Sequence, residues 1–219
     1  MRQPILAFCR IAIILALIAL GPVLVVGASG PTPSAGAEVV RQDQAGVTPQ
    51  ALRPGVHTDN IQLLGQLGGS ATAVASAGNY AYLGIGPYLA VIDISDPAAP
   101  VEVGRTAMLP NIVEDVVVAG DFAYVAAGAA GLRVINVANP AQPAEVGFYE
   151  ALDAAKGVAV AGTTAYVADE DAGLVTVNVA DPANPTLLGA YDSPGVATGV
   201  AVAGNIAYLA DGPGGLRLV

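Results

Sequence analysis

Four tyrosines, Tyr82, Tyr124, Tyr166 and Tyr208, stand 42 residues apart each time. The same interval joins Gly78, Gly120, Gly162 and Gly204, and again Ala81, Ala123, Ala165 and Ala207. These residues sit in copies of one segment: AGNYAYL, AGDFAYV, AGTTAYV and AGNIAYL. A period of this size restricts the chain to stacked units, each burying its apolar surface on the next. Propeller blades and paired-helix arrays both have such periods, so the pattern inside one unit must decide between them.

Each complete unit holds four short apolar runs separated by turn residues. In the third, GVAVA (157–161) meets a tight Gly162-Thr163 turn, and the chain returns as Ala165-Tyr166-Val167-Ala168. LVTVNV (174–179) follows an acidic loop, and TLLGAY (186–191) follows a break at Asp181-Pro182 and Pro185. Valine-rich runs of this length between Gly and Pro are strands. Two prolines per unit would break the helices of the alternative. The runs are nearly continuous in apolar residues, as in Val116-Val117-Val118. A sheet with one wet face would alternate, so both faces must be covered. Radial stacking of four-stranded blades supplies that cover. The fold class is therefore all-β, a β-propeller of four-stranded blades. Tyr82, Tyr124, Tyr166 and Tyr208 serve in this reading as repeat anchors, one large ring per blade.

The expected organisation is a signal peptide over 1–28, a flexible linker over 29–59, and propeller repeats over 60–219. The units run over about 68–109, 110–152 and 153–194, with an incomplete one over 195–219. Met1–Arg10 is a short basic start, Ile11–Val26 an apolar run, and Gly27-Ala28-Ser29-Gly30 a small-residue exit. That order describes a secretory signal, with a mature N-terminus at Ser29 or, as a minor site, after Ala37; an uncleaved membrane anchor is the alternative. Cys9, the single cysteine, follows the bulky Phe8 and precedes the apolar run, which argues against lipidation. The one histidine, His57, falls in the linker.

The units end unevenly. The sequence stops at Val219 inside the fourth unit's third strand, without the Asp-Pro turn that follows elsewhere. QLLGQL (62–67) matches a fourth strand, aligning Leu64-Gly65 with Val103-Gly104 and Leu188-Gly189. The expectation is a truncated open arc of about four blades; the alternative is a four-bladed ring closed by residues 62–67.

The third-strand segments are LAVIDI (89–94), LRVINV (132–137), LVTVNV (174–179) and LRLV (216–219). The first three are followed by Asp96-Pro97, Asn139-Pro140 and Asp181-Pro182. In these features the chain, over 61–219, resembles the LVIVD-repeat family of exported bacterial and archaeal propellers. The resemblance implies the fold and an exported domain, and it assigns no activity. WD40 propellers are a poorer match, because the chain contains no tryptophan.

With 8 basic and 18 acidic residues the formal charge is −10, which repels phosphate backbones and anionic lipid. No nucleic-acid partner is expected, and no membrane partner once the signal is removed. The densest polar cluster is Asp169-Glu170-Asp171. It is a candidate Ca²⁺ site, yet it lacks calcium-loop spacing, and the second unit has Ala127, Gly128 and Ala129 there; a solvated turn is the preferred reading. Glu114-Asp115 reads as an interblade loop. Asp93, Asn136 and Asn178 recur within strand three and read as structural polar groups. Residues 60–219 contain no Cys or His, so the usual zinc, haem and thiol ligands are missing there. No catalytic residue and no cofactor is expected. The function expected is a secreted or surface-exposed module that binds a protein or glycan. The alternatives are a fragment of a propeller enzyme with its active site on other blades, and a structural adhesin segment.

Overall fold

The computed structural model describes residues 63–151 and 153–219. The expected signal peptide and the linker with His57 lie outside the described residues.

Fifteen strands form four antiparallel sheets among these residues. Blade 1 comprises β1 (Ala73–Ala77), β2 (Tyr80–Ile85), β3 (Tyr88–Asp93) and β4 (Val101–Arg105). Blade 2 comprises β5 (Asp115–Ala119), β6 (Phe122–Ala126), β7 (Leu132–Asn136) and β8 (Ala144–Tyr149). Blade 3 holds β9 (Ala155–Ala161), β10 (Thr164–Asp169), β11 (Leu174–Asn178) and β12 (Thr186–Tyr191). Blade 4 has three strands, β13 (Gly199–Ala203), β14 (Ile206–Ala210) and β15 (Leu216–Leu218). A single 3₁₀ turn, Gly212–Gly214, is the helix found among the described residues.

Local chemistry sets the blade meander. Each first hairpin turns through a glycine at positive φ: Gly78 at 57°, Gly120 at 60°, Gly162 at 58° and Gly204 at 60°. A side chain there would be strained, which explains why these glycines repeat. At the β3–β4 type of turn, the side chain before each proline accepts a backbone N–H two residues on. Asp96 takes that of Ala98 at 3.0 Å, Asn139 that of Ala141 at 3.2 Å, and Asp181 that of Ala183 at 3.1 Å. Asp93, Asn136 and Asn178 do the same for Ser95, Ala138 and Ala180 at 2.8, 3.0 and 2.9 Å. Their carboxyl and amide oxygens are thus satisfied by the adjoining turn.

Three cores lie between consecutive blades. Tyr82, Leu89 and Val91 of blade 1 pack on Val116, Val125 and Ile135 of blade 2. Tyr124, Leu132 and Val134 of blade 2 pack on Val158, Val167 and Val177 of blade 3. Leu174 and Ala168, with the half-buried Tyr166, meet Ala197, Ala207 and Leu209 of blade 4. Equivalent repeat positions fill each interface. Innermost β1 neighbours β5, β5 neighbours β9, and β9 neighbours β13. Small residues suit this crowding, and a Cβ on Gly157 would run into the Gly199 backbone.

Burial on both faces holds for the second and third strands of blades 1–3, but not for the fourth. Leu187 and Leu188 of β12 are exposed, as are Val101 of β4 and Val146 of β8. In blades 1 and 2 a glycine of the outermost strand comes close against the next blade. A Cβ on Gly104 would hit the Pro140 carbonyl, and one on Gly147 the Pro182 carbonyl. A bulge beside each glycine, between Val91/Ile92 and between Val134/Ile135, lets the strand bend into that contact.

The arc is open. The register of β15 pairs it with β14 alone, and residues 63–67 form no strand with it. That segment lies against blade 1, where a Cβ on Gly65 would hit the Pro97 carbonyl.

Candidate functional site: the variable rim

Antiparallel meandering places two kinds of turn at opposite ends of every blade. One end carries the glycine hairpins and the Asx-proline turns, repeated almost unchanged. The other carries the second-to-third-strand hairpins and the crossovers between blades, and its residues differ from blade to blade. In a repeat fold, variation confined to one set of loops marks the surface free to specialise.

Three positions after each repeat tyrosine stand Ile85, Ala127, Asp169 and Asp211. The rim therefore turns from apolar in blades 1 and 2 to acidic in blades 3 and 4. Asp169 has a counterpart in Asp211, which a comparison with blade 2 alone misses; the signal was the 42-residue spacing itself. Both carboxylates are buried, at 1% and 0% exposure. A buried carboxylate stays charged only with partners. Asp169 accepts the Asp153 N–H at 3.3 Å. Asp211 accepts the Ser193 hydroxyl at 2.5 Å and the Arg217 Nε–H at 3.1 Å. The Ser193 hydrogen bond, followed by the Arg217 guanidinium, holds the Asp211 carboxyl below the usual carboxylate range against the opposing effect of burial.

The next position holds Gly86, Gly128, Glu170 and Gly212, with φ of 56°, 51°, 36° and 46°. Glu170 thus adopts a left-handed backbone that glycine adopts in the other three blades. The reason lies in the blade junction. The carbonyl at this position accepts an N–H from the next blade: Gly86 from Val113 at 2.8 Å, Gly128 from Ala155 at 3.0 Å, Glu170 from Ala197 at 3.0 Å. The glycine spacing signalled this latch, but its partners sit across a blade boundary that local pattern does not describe.

Charged side chains reinforce the junction of blades 2 and 3. Lys156 reaches Glu114 at 2.8 Å and Glu170 at 3.2 Å. The Glu114 carboxylate, and Glu170 after it, keep the Lys156 ammonium above its usual range. Asp115 accepts the N–H of its own β5 neighbour Val116 at 2.8 Å and of Val158 on β9 at 3.0 Å. Asp171 donates its N–H to Asp153 at 3.1 Å while its side chain faces solvent.

The acidic cluster of the sequence reading is therefore divided. Asp169 is buried, Glu170 is paired with Lys156 of its own blade, and Asp171 is exposed. Among the described residues, no group of three or more His, Cys, Asp or Glu is placed to hold a metal ion. The Ser193 hydroxyl donates to the Asp211 carboxylate and so ties the blade 3–4 crossover to blade 4. Tyr82 and Tyr124 are buried in the cores, and burial raises both phenols. Tyr166 and Tyr208 are half-buried. What the rim shows to solvent is Met108 and Ile112 on the blade 1–2 crossover, and Glu150, Asp153, Asp171 and Asp192 farther along.

A family model described as LVIVD repeat matches residues 68–107, 111–151, 154–193 and 194–219. No curated protein matches the chain. The crystal structure of the computationally designed Ika4 protein is similar at 13% identity and a TM-score of 0.60, covering 73% of this chain and 97% of that one. That of the computationally designed Ika8 protein is similar at 14% identity and a TM-score of 0.58. Here the match covers 68% of this chain and 45% of the other, so the arc spans less than half of Ika8. At these identities the likeness concerns the fold alone.

Proposed function

Because the chain belongs to the LVIVD-repeat family, we propose that it works as an exported β-propeller module holding a protein or glycan ligand on its variable rim. The observation carrying this reading is the asymmetry between the two rims. At the repeated rim the Asx side chains bond to their own turns and the residues recur almost unchanged, whereas the variable rim changes from blade to blade and presents exposed apolar and acidic side chains together. Met108 and Ile112 supply contact area, and the carboxylates of Glu150, Asp153, Asp171 and Asp192 favour a cationic or hydroxyl-rich partner. Export follows from the basic, apolar and small-residue order of the first thirty residues or so. Buried Asp169 and Asp211 hold the rim in shape and do not touch the ligand.

The test is a protein and glycan array probed with the full-length chain, then with Asp171→Lys/Asp192→Lys and with Asp121→Lys. Asp121 is exposed on the repeated rim. Binding lost in the first variant and kept in the second is expected. A ligand that ignores the first variant and is lost by the second overturns the assignment. N-terminal sequencing of the secreted product checks export, with a start at Ser29 expected.

A further inference from the structure

Between Leu63 and Gly215 the chain carries three cationic side chains, Arg105, Arg133 and Lys156. All three lie inside strands, β4, β7 and β9. The segments between strands, from the Asx-proline turns to the crossovers of the variable rim, hold none among the described residues. Those loops carry acids instead, with Asp96, Asp121, Glu150, Asp171 and Asp192 exposed. An endoprotease nicks exposed loop tips, and it reaches a peptide bond inside a sheet only after the strand has opened locally.

Each of the three cationic positions is fastened by its own contacts. After Arg105, the Thr106 N–H donates to the Leu89 carbonyl at 3.0 Å, and the Thr106 hydroxyl oxygen accepts the Leu89 N–H at 3.1 Å. The Arg105 guanidinium is held by Glu102 through two bonds of 2.8 Å. Arg133 and Val134 have a strand on either side, opposite Val125 and Tyr124 on β6 and Phe148 and Gly147 on β8. Arg133 is 7% exposed and bonded to Glu145 at 3.1 Å. Gly157, after Lys156, pairs with Ala168 and lies so close to the Gly199 backbone that a Cβ would not fit. Lys156 itself is tied to Glu114 and Glu170 at 2.8 and 3.2 Å. A protease of trypsin type reads the cation with a carboxylate in its own pocket. To cut here it must therefore draw the cation from a carboxylate and the backbone from a sheet.

We propose that the folded arc is refractory to endoproteases that cut after Lys or Arg, because its loops offer them no side chain to read and its three cationic positions are locked in sheets. The protection comes from where the cations stand. It does not come from closed loops, which remain open to a protease that reads carboxylates. The property matters to a chain that is exported, as proposed above, and it holds whichever ligand the rim takes.

The experiment is limited digestion of the full-length native chain by trypsin, with the cut sites read by mass spectrometry. The stretch from Leu63 to Gly215 is expected to survive uncut, while a glutamate-specific endoprotease cuts after Glu150. Glu150→Arg and Asp171→Arg, both at exposed loop positions, are expected to keep the β-sheet circular dichroism. Trypsin is expected to cut each at the substituted position about a hundredfold faster than it cuts the parent after Arg105, Arg133 or Lys156. As urea is added the parent is expected to be cut first after Arg105, on the outermost strand, and then at all three. Cutting of the native parent at any of the three as fast as at the substituted loops overturns the proposal. So do loops that resist the glutamate-specific enzyme, or loop variants that fold and resist trypsin, either of which would make the arc rigid throughout. A denatured chain that resists trypsin also overturns it, since the protection would then lie in local sequence and not in the fold.

Discussion

Blades 2 and 4 are built from the same repeat and differ in what lies beside them. Leu132 and Leu216 follow a glycine at positive φ, Gly131 at 78° and Gly215 at 78°, and both begin a third strand paired to a second. Arg133 and Arg217 come next. Leu132 nevertheless disappears under blade 3, whereas Leu216 faces solvent. Arg133, under a fourth strand, stacks on Phe148 at 4.6 Å and pairs with Glu145 at 3.1 Å. Arg217, without that strand, turns to Asp211. Blade identity is thus local, while burial and the partners of the long side chains are supplied by the neighbour. Stability in this arc consequently resides in the junctions between blades.

The largest expected effect sets Leu132 against Leu216. Leu132→Ala opens a cavity in the blade 2–3 core and is expected to cost about 2–5 kcal/mol in urea unfolding. Leu216→Ala, measured in the same melt, is expected to stay within about 0.5 kcal/mol. Equal costs would mean that blade 4 is already covered within one chain.

Next comes the fourth-strand glycine. Gly147→Ala drives a methyl group into the Pro182 carbonyl and is expected to cost about 1–3 kcal/mol. Gly189→Ala, with only the Thr176 Oγ1 near, is expected to be close to neutral, and thermal melts of the two variants separate them. Similar melting points would refute the view that this glycine is a junction residue.

A third contrast concerns acid. Because the folded Asp211 carboxyl lies below its ordinary range, its contribution is complete above the unfolded value, near about pH 4, and is lost as pH falls through the folded one. Blade 2 has Ala127 at this position. Amide-exchange protection, corrected for intrinsic rates, is expected to fall in β14 and β15 before β6 and β7 on acidification. The reverse order would remove Asp211 as the pin of blade 4.

The smallest effect is at the latch. Glu170→Gly relieves a left-handed glutamate and removes one half-exposed ion pair with Lys156. Strain relief is expected to win by up to about 1 kcal/mol. A clear loss of stability in the melt would show that the Lys156 pair outweighs the strain.

The sequence by itself determined the period, the strand content, the glycine hairpins and the Asx-proline turns. Each of these is decided within a few residues of chain. Gly162 forces its turn, Asp181 bonds the N–H of Ala183, and the valine runs between them have one regular way to fold. The fourth-strand reading of residues 62–67 rested on Leu64-Gly65 repeating Val103-Gly104, yet residues 63–67 form no strand, and only the approach of Gly65 to Pro97 repeats. Tertiary structure alone decided the rest. Nothing in LRLV distinguishes Leu216 from Leu132 until a neighbouring blade is present or missing. Asp169 looked like one of three solvated acids, and it is buried because β10 ends beneath the crossover carrying Asp153. Glu170 is held at a glycine conformation by a hydrogen bond to Ala197, a residue in the next repeat. The burial of Leu132 and the backbone of Glu170 are decided by the next unit, and the burial of Asp169 by a crossover 16 residues away, so none of these outcomes is settled within a few residues of chain.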